Sequence, residues 1–272
     1  SGSTTINMYV LSHAMRSLLK PGDEVIVTNQ DHEANVGAWR RLADHGMVIK
    51  EWQINSETAE LEINDLKALL SEKTKIVAVT HCSNIVGSIN DLKSIAKLVH
   101  EYDAYIVGDG VSYAPHGFPD VKDLGVDFYA FSLYKTYGPH LGLLYGKKEI
   151  LNQLPNQNHE FLEGDVPYTL NPGGPNHEEL SCLIGIAEYF ENLHDHHFQN
   201  QNIKLFDKKK RINQLISDHE EKIANIFLDY ISTKKEIELM IEFEILIPIV
   251  FPLSEFIPNK AFPLRNGVGF KD

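Results

Sequence analysis

The feature of this sequence that most constrains its fold is a series of short, nearly uninterrupted apolar segments separated by stretches with helical periodicity. Continuous apolar runs of strand length are typical of a parallel sheet, because helices cover both faces of such a sheet. The pattern therefore predicts an α/β three-layer sandwich with a mostly parallel sheet. The predicted strands comprise residues 24–28, 47–52, 75–80, 104–109, 127–132 and 142–145.

Helical spacing of apolar residues fills the intervals between these strands. In the first interval Ile6, Val10 and Met15 recur near helical spacing. Gly46 is a typical helix stop, so we expect the second helix to end just before it. The predicted helices comprise residues 6–19, 34–45, 63–71 and 91–102, and residues 199–232 form one long helix or two in tandem.

The length of the chain bounds its domain organisation. With 272 residues, 43% of them hydrophobic, it can form one large domain and part of a second. We expect a large domain over residues 1–195, then a linker helix and an incomplete small α+β domain over 196–272, because the tail from Glu236 is apolar and β-branched. The sequence starts without Met and ends in a turn pattern, so we expect a fragment of a longer protein.

Charge and cysteine content disfavour several classes of function. The formal net charge of -13 argues against binding to nucleic acid. We find no apolar run long enough to span a bilayer and no signal-like segment, so we expect no membrane association. Cys82 and Cys182 are too few for a disulfide framework, which favours a cytoplasmic location.

Polar side chains follow the predicted strands at their carboxyl ends, where open α/β sheets bind ligands. One strand ends at Asp109, another leads to Lys135, and His32 follows the first strand. Small hydroxyl residues precede the first helix, and the free N–H groups at a helix N-terminus favour a phosphate. A lysine amine, a carboxylate and a phosphate cradle together suit an aldehyde cofactor that bears a phosphate.

Each of these groups has a simpler interpretation when it is taken alone. A carboxylate at a strand end or a hydroxyl before a helix is more often a cap, and a loop lysine such as Lys135 is usually a solvated charge. His32 and His81 are more often structural than functional. The functional interpretation depends on all of these groups falling at the same edge of one predicted sheet.

The motifs around these residues resemble the class V aminotransferase and cysteine desulfurase superfamily, in order and approximate spacing, from residue 2 to about residue 180. Residues 132–140 are most similar to a desulfurase-like branch. The resemblance implies fold type I of the pyridoxal-phosphate enzymes, with a seven-stranded, mostly parallel sheet, a small C-terminal domain and a homodimer. The matching segments are residues 22–27, 31–35, 80–84, 109–110 and 131–139.

The resemblance also implies a role for each matching residue. Lys135 would hold pyridoxal phosphate as a Schiff base, Asp109 would bond the pyridine nitrogen, and His32 would stack on the ring. Asn84 would lie near the ring hydroxyl, and Ser112 stands where desulfurases usually have a glutamine that supports the ring oxygen. The residues that would hold the phosphate are Ser3, Thr4, Thr5, Ser132 and Tyr134.

The implied function is a pyridoxal-phosphate-dependent transferase or lyase that acts on an amino acid, by desulfurase, aminotransferase or racemase chemistry. Departures from the family pattern support an alternative, a catalytically inactive fragment or a binding protein that keeps the cofactor fold. Gly174 stands where a threonine would reach the partner subunit's phosphate, and neither Cys82 nor Cys182 matches the desulfurase nucleophile. Arg265, the only arginine after Arg211, matches no family motif, so the arginine that would bind the substrate carboxylate stays unidentified.

A metal protein is the third alternative. His194 and His197 lie three residues apart and could share a helix face. We prefer a solvated helix end, because no second cluster of ligands lies nearby in the sequence, and we predict no metal site.

Overall fold

A computed structural model describes residues 1–165, 168–199 and 203–234 of the chain. Its centre is a sheet whose strands lie in the order β2-β1-β3-β4-β5-β6. The first five strands are parallel to their neighbours, and β6 is antiparallel to β5. The strands are β1 Glu24–Thr28, β2 Val48–Trp52, β3 Thr74–Thr80, β4 Tyr105–Asp109, β5 Phe128–Ser132 and β6 Gly142–Gly146.

The predicted α/β class and mostly parallel sheet are confirmed, whereas the expected count of seven strands is wrong for the part of the chain that the structure describes. Six strands form there, one in each of the six apolar segments of the sequence. The resemblance alone implies seven strands, whereas the described ranges contain six segments of strand character.

The predicted helical segments form helices, with shifts at their ends, and the described residues contain four further α-helices between residues 114 and 198 that were not predicted. The first two are shorter than expected, because each passes into a 3-10 helix, Arg16–Leu18 in one case and Arg41–His45 in the other. Gly46 follows in the left-handed conformation, with a φ of 87°. The helices are α1 Thr4–Met15, α2 Glu33–Arg40, α3 Ile63–Leu69, α4 Leu92–His100, α5 Ala114–Gly117, α6 Val121–Leu124, α7 Lys148–Leu151, α8 His177–Phe198 and α9 Leu205–Ile231.

Each face of the sheet has its own hydrophobic core, which explains why the strands are apolar throughout. In β1, Val25 and Val27 contribute to the core shared with α1 and α2, and Ile26 points to the opposite core with Leu66 and Leu92 from α3 and α4. All five side chains are fully buried. The alternation of consecutive residues between two cores is the three-layer arrangement that the sequence predicts.

The topology brings the carboxyl ends of β1, β3, β4 and β5 to one edge of the sheet. The strand order reverses between β1 and β3, because β2 lies on the outer side of β1 and the chain then crosses to β3. Such a reversal leaves a crevice beyond the strand ends, where ligands bind in open α/β sheets.

The division of the chain at residue 195 remains a prediction. Helix α8 runs through that position without a break, and α9 packs beside it. Of the long helical segment predicted over 199–232, the described residues form a single helix from Leu205 to Ile231. The expected small domain beyond α9, the tail after Glu236 and Arg265 lie outside the described residues. Among the helices of the described ranges, none has the length and hydropathy needed to cross a bilayer.

Candidate active site

A cavity of about 220 Å³ lies at the carboxyl edge of the sheet. All ten residues to which the family resemblance gives a role in holding the cofactor line it, from α1 at one side to the segment after β5 at the other. These residues are Ser3, Thr4, Thr5, His32, Asn84, Asp109, Ser112, Ser132, Tyr134 and Lys135. Five further residues complete the lining: Ala34, Thr80, Cys82, Val111 and His140.

The N-terminus of α1 forms one wall of this cavity. Ser3 caps the helix, and its Oγ accepts a hydrogen bond from the N–H of Ile6 at 3.1 Å. Thr4 Oγ1 and Ser132 Oγ share a hydrogen bond of 2.8 Å, which ties the helix to the end of β5. Gly142 makes this approach possible, because a Cβ there would overlap the backbone of Ser3 and Thr4. The positive end of the helix dipole and its free N–H groups favour an anion here.

Asp109, the last residue of β4, places a buried carboxyl group in the cavity. Its side chain is 3% exposed and accepts a hydrogen bond from the N–H of Val111 at 2.9 Å. Burial raises the pKa of Asp109, while the Val111 N–H and the nearby His32 and Lys135 act in the opposite direction. A cationic group in the cavity would therefore stabilise the ionised form of this carboxyl.

Asp31 is a second carboxyl group beside the site, partly buried, and the sequence analysis gave it no role. Its oxygens accept hydrogen bonds from Thr28 Oγ1 at 2.7 Å, from the N–H of Thr80 at 2.9 Å and from Asn35 Nδ2 at 2.9 Å. Burial, together with the charge of Asp109, raises the pKa of Asp31 to about 7. The sequence feature that could have indicated a role for Asp31 is its position between the end of β1 and His32.

The two histidines of the predicted edge have different environments. His32 caps α2, and its Nδ1 accepts a hydrogen bond from the N–H of Ala34 at 3.0 Å, so a neutral ring carries its proton on Nε2. His81 lies behind the cavity wall, stacked on Tyr113 at 3.6 Å between ring centroids, and its Nδ1 is 2.8 Å from the hydroxyl of Tyr129. Burial lowers the pKa of His81 to about 4, which keeps the ring neutral.

Lys135 ends the 3-10 helix Leu133–Lys135, directly after β5. Its side chain is exposed at the mouth of the cavity, next to Tyr134, whose ring stacks on His140 at 4.7 Å. Cys82 lines the same cavity, and burial raises the pKa of its thiol to about 11, with Lys135 acting in the opposite direction. Cys82 is therefore a neutral thiol near pH 7, which is a poor nucleophile.

The remaining candidates lie away from this cavity. Cys182 is exposed on α8, and Gly174 lines a separate groove. His194 is buried in α8 and bonded to Asp195, whereas His197 is exposed, so these two imidazoles do not converge. Within the described ranges, no group of three or more His, Cys, Asp or Glu side chains is arranged to hold a metal ion.

Comparison with known proteins identifies the family. The model of the aminotransferase class-V family matches residues 1–225. The chain belongs to the aminotransferase class-V family. This membership confirms the resemblance that the motifs at residues 22–139 predicted.

Several members of the family are similar to this chain over most of its length. The aminotransferase-like protein FGM3 of Gibberella zeae is 38% identical over 239 residues, which cover 86% of this chain and 55% of that protein. A cysteine desulfurase of Yersinia pseudotuberculosis is 35% identical over 204 residues, which cover 69% of this chain and 49% of that protein. The chain thus spans about half the length of these relatives.

A solved structure supports the fold of this class V family member. The crystal structure of the cysteine desulfurase CsdA from Escherichia coli superposes with a TM-score of 0.74 at 25% sequence identity. The match covers 88% of this chain and 59% of that one. The sheet order and flanking helices described above are therefore those of a cysteine desulfurase-like fold.

Proposed function

We propose that this chain binds pyridoxal phosphate, with Lys135 as the residue that bonds the cofactor aldehyde, and that it forms the large domain of an enzyme that acts on an amino acid. The observation behind the proposal is the convergence of an amine, a buried carboxyl group and a hydroxyl-rich helix N-terminus in one cavity. At about 220 Å³ this cavity is somewhat smaller than the roughly 300–1,000 Å³ of typical ligand pockets, which suits one compact ligand.

The donor set fits the chemistry of the cofactor at three points. Lys135 supplies the amine. Asp109 supplies a buried carboxyl group that a protonated ring nitrogen would stabilise in its ionised form. At the start of α1, Ser3, Thr4 and Ser132 combine hydroxyl groups with free backbone N–H groups, and the absence of a Cβ at Gly142 leaves this turn undistorted.

The residues of the chain have separable tasks in such an enzyme. When bound, pyridoxal phosphate supplies an electron sink for the carbon next to the substrate amino group. Asp109 would keep the ring nitrogen protonated, and the imidazole of His32 would pack against the ring. Once the substrate amine has taken its place on the cofactor, the free amine of Lys135 would take the proton from the substrate α-carbon as general base. Asn84 and Ser112 would face the ring oxygen, and Thr5 and Tyr134 would complete the phosphate site.

The family includes desulfurase branches, and the state of Cys82 bears on that chemistry. A desulfurase nucleophile must be a thiolate to attack sulfur. Because burial raises the pKa of Cys82 to about 11, this residue does not serve that role. We therefore propose the step shared by the family, proton removal at the α-carbon of an amino acid, as the function of this cavity.

A homodimer and a cytoplasmic location belong to the same proposal. The support for the location is the cysteine content, because Cys82 and Cys182 are too few for a disulfide framework. Gly174, on the separate groove, is the residue that would face the partner subunit by the family pattern.

The decisive experiment traps the cofactor. The protein is incubated with pyridoxal phosphate, reduced with borohydride and digested, and peptides are examined by mass spectrometry. We expect an adduct on Lys135 that is lost in Lys135→Ala. In Asp109→Asn, half-maximal labelling should need at least about tenfold more cofactor, equivalent to about 1.4 kcal/mol of binding free energy.

A matched control is Lys67→Ala, which removes an exposed lysine of α3 and should leave the adduct unchanged. Circular dichroism establishes that each variant is folded. Equal labelling of the wild type and Lys135→Ala, or labelling spread over surface lysines, would remove the cofactor proposal.

A further inference from the structure

The turn that follows Lys135 is closed by one backbone carbonyl. The carbonyl oxygen of Leu133 accepts hydrogen bonds from the N–H of Thr136 at 2.8 Å, from the N–H of Gly138 at 2.9 Å and from Thr136 Oγ1 at 3.0 Å. The bond from Gly138 spans six residues, as the 6→1 bond of a Schellman motif does. Lys135 lies inside the segment that this carbonyl closes.

The residue that closes the turn is unusual. A Schellman motif needs one residue in the left-handed conformation, and glycine usually occupies that position because it has no Cβ. Here the residue is Tyr137, with a φ of 65°. A tyrosine adopts this conformation only where its surroundings hold it there, so the contacts of the ring are the feature to explain.

The ring of Tyr137 packs against helix α8. Its centroid lies 5.1 Å from the ring of Tyr189 and 5.7 Å from the ring of Phe190, which it meets edge to face. Phe190 is 7% exposed and in turn contacts Phe118 at 4.3 Å. These four rings connect the turn after Lys135, α8 and the segment after α5 in one cluster.

The backbone of the same turn also contacts α8 directly. A Cβ at position 138 would lie 2.5 Å from Cδ1 of Ile186. The glycine therefore lets α8 approach the turn closely, and Tyr137 anchors the neighbouring residue. Two adjacent residues of the turn, Tyr137 and Gly138, therefore meet the same face of α8.

We infer that Tyr137 is a positioning residue: its ring, held by Tyr189 and Phe190, keeps the turn closed and so fixes the place of the Lys135 amine in the cavity. The ring acts through the backbone, because Tyr137 does not line the cavity. The inference concerns the geometry of the turn, and its consequence for cofactor binding rests on the function proposed above.

The test separates the ring from the backbone. Tyr137→Gly keeps a residue at ease in the left-handed conformation and removes the ring, so this variant is expected to fold. Tyr137→Phe keeps the ring and removes only the hydroxyl. Tyr230→Ala removes a similarly exposed ring from α9, 59% exposed against 54% for Tyr137, and serves as the control.

Hydrogen exchange provides a readout that does not involve the cofactor. In Tyr137→Gly, the amides of Thr136 and Gly138 should exchange at least about tenfold faster, while peptides from β1 to β4 and the melting temperature stay as in the wild type. Tyr137→Phe should restore slow exchange, and Tyr230→Ala should not alter it. The borohydride-trapped adduct on Lys135 should need about tenfold more cofactor in Tyr137→Gly and the wild-type concentration in Tyr137→Phe.

The two proposals fail in different ways. A wild-type protein without an adduct on Lys135 overturns the proposed function, and the exchange of Thr136 and Gly138 alone then decides whether Tyr137 holds the turn. Wild-type exchange at these two amides in Tyr137→Gly would overturn the inference about Tyr137. Faster exchange across the whole chain would also overturn it, because the ring would then serve general stability.

Discussion

Exchanging the carboxyl and amide groups of Asp31 and Asn35 tests the hydrogen-bond network behind the cavity. Trp39 Nε1 donates to Asn35 Oδ1 at 3.0 Å, and Asn35 Nδ2 donates to Asp31 Oδ1 at 2.9 Å. The second oxygen of Asp31 accepts from Thr28 Oγ1 and from the N–H of Thr80. All of these hydrogen bonds are donated in the direction of Asp31, which only accepts.

The single variant Asp31→Asn breaks the network at a defined place. Its amide oxygen can keep the donors from Thr28 and Thr80, but its nitrogen then faces Asn35 Nδ2, and two buried N–H donors oppose each other. Leaving one buried donor without an acceptor costs about 1–3 kcal/mol. Asn35 cannot reverse its amide to help, because Trp39 needs its oxygen.

The double variant Asp31→Asn/Asn35→Asp restores the match. The amide nitrogen at position 31 donates to the carboxylate at position 35, which also accepts from Trp39 Nε1, so each donor again has an acceptor. Asn35→Asp alone places a buried carboxyl group next to the partly buried one of Asp31 and should be the least stable variant. We expect the two substitutions to be coupled by about 1–3 kcal/mol in favour of the double variant.

Urea denaturation followed by circular dichroism at pH 7 measures the four free energies of unfolding. Asp44→Asn removes an exposed carboxylate of the same type and should change stability by less than about 0.5 kcal/mol. A double variant no more stable than Asp31→Asn would refute the directional network, because restoring the acceptors would then have restored nothing.

Three further predictions concern packing, pH and thiol reactivity. Gly142→Ala forces its Cβ into the backbone of the first turn of α1, so it should lower the free energy of unfolding by about 1–3 kcal/mol in thermal melts and weaken cofactor labelling. The control Gly185→Ala on α8, where the added Cβ meets open space, should do neither. Because burial lowers the pKa of His81 to about 4, the unfolded chain binds the proton more readily, and the free energy of unfolding should fall as the pH drops from about 6.5 to 4. His81→Gln should flatten that slope in urea titrations, and an unchanged slope would contradict the assignment. Iodoacetamide at pH 7.5 should alkylate the exposed Cys182 and spare Cys82, whose pKa burial raises to about 11, and equal alkylation by mass spectrometry would contradict this.

Much of the fold could be predicted because its signal is local. In β1, Val25, Ile26 and Val27 are all apolar since successive side chains enter different cores, and that continuous run identifies a strand covered on both faces. The ends of α1 and α2 were missed because the change from α-helix to 3-10 helix depends on packing of the last turn, which leaves little trace in apolar spacing.

The candidate site was predictable to the extent that it follows strand ends. Asp109 ends β4 and Lys135 follows β5, and parallel pairing of these strands brings both residues to one edge. Asp31 was missed because its partner Thr80 is 49 residues away and meets it only through the pairing of β1 with β3. The left-handed conformation of Tyr137 was missed because glycine usually marks such a position, and the sequence has a tyrosine there.

The sequence by itself determined which segments become strands and helices, which residues stand at the carboxyl ends of the strands, and to which family the motifs point. These properties depend on side-chain periodicity and residue type, and both are local. Only the tertiary structure decided that Asp31 accepts hydrogen bonds from three donors and that Gly142 lets the start of α1 approach β6. It also decided that the ring of Tyr137 packs against α8. Such contacts join residues distant in sequence, and strand register and helix packing create them together when the chain folds.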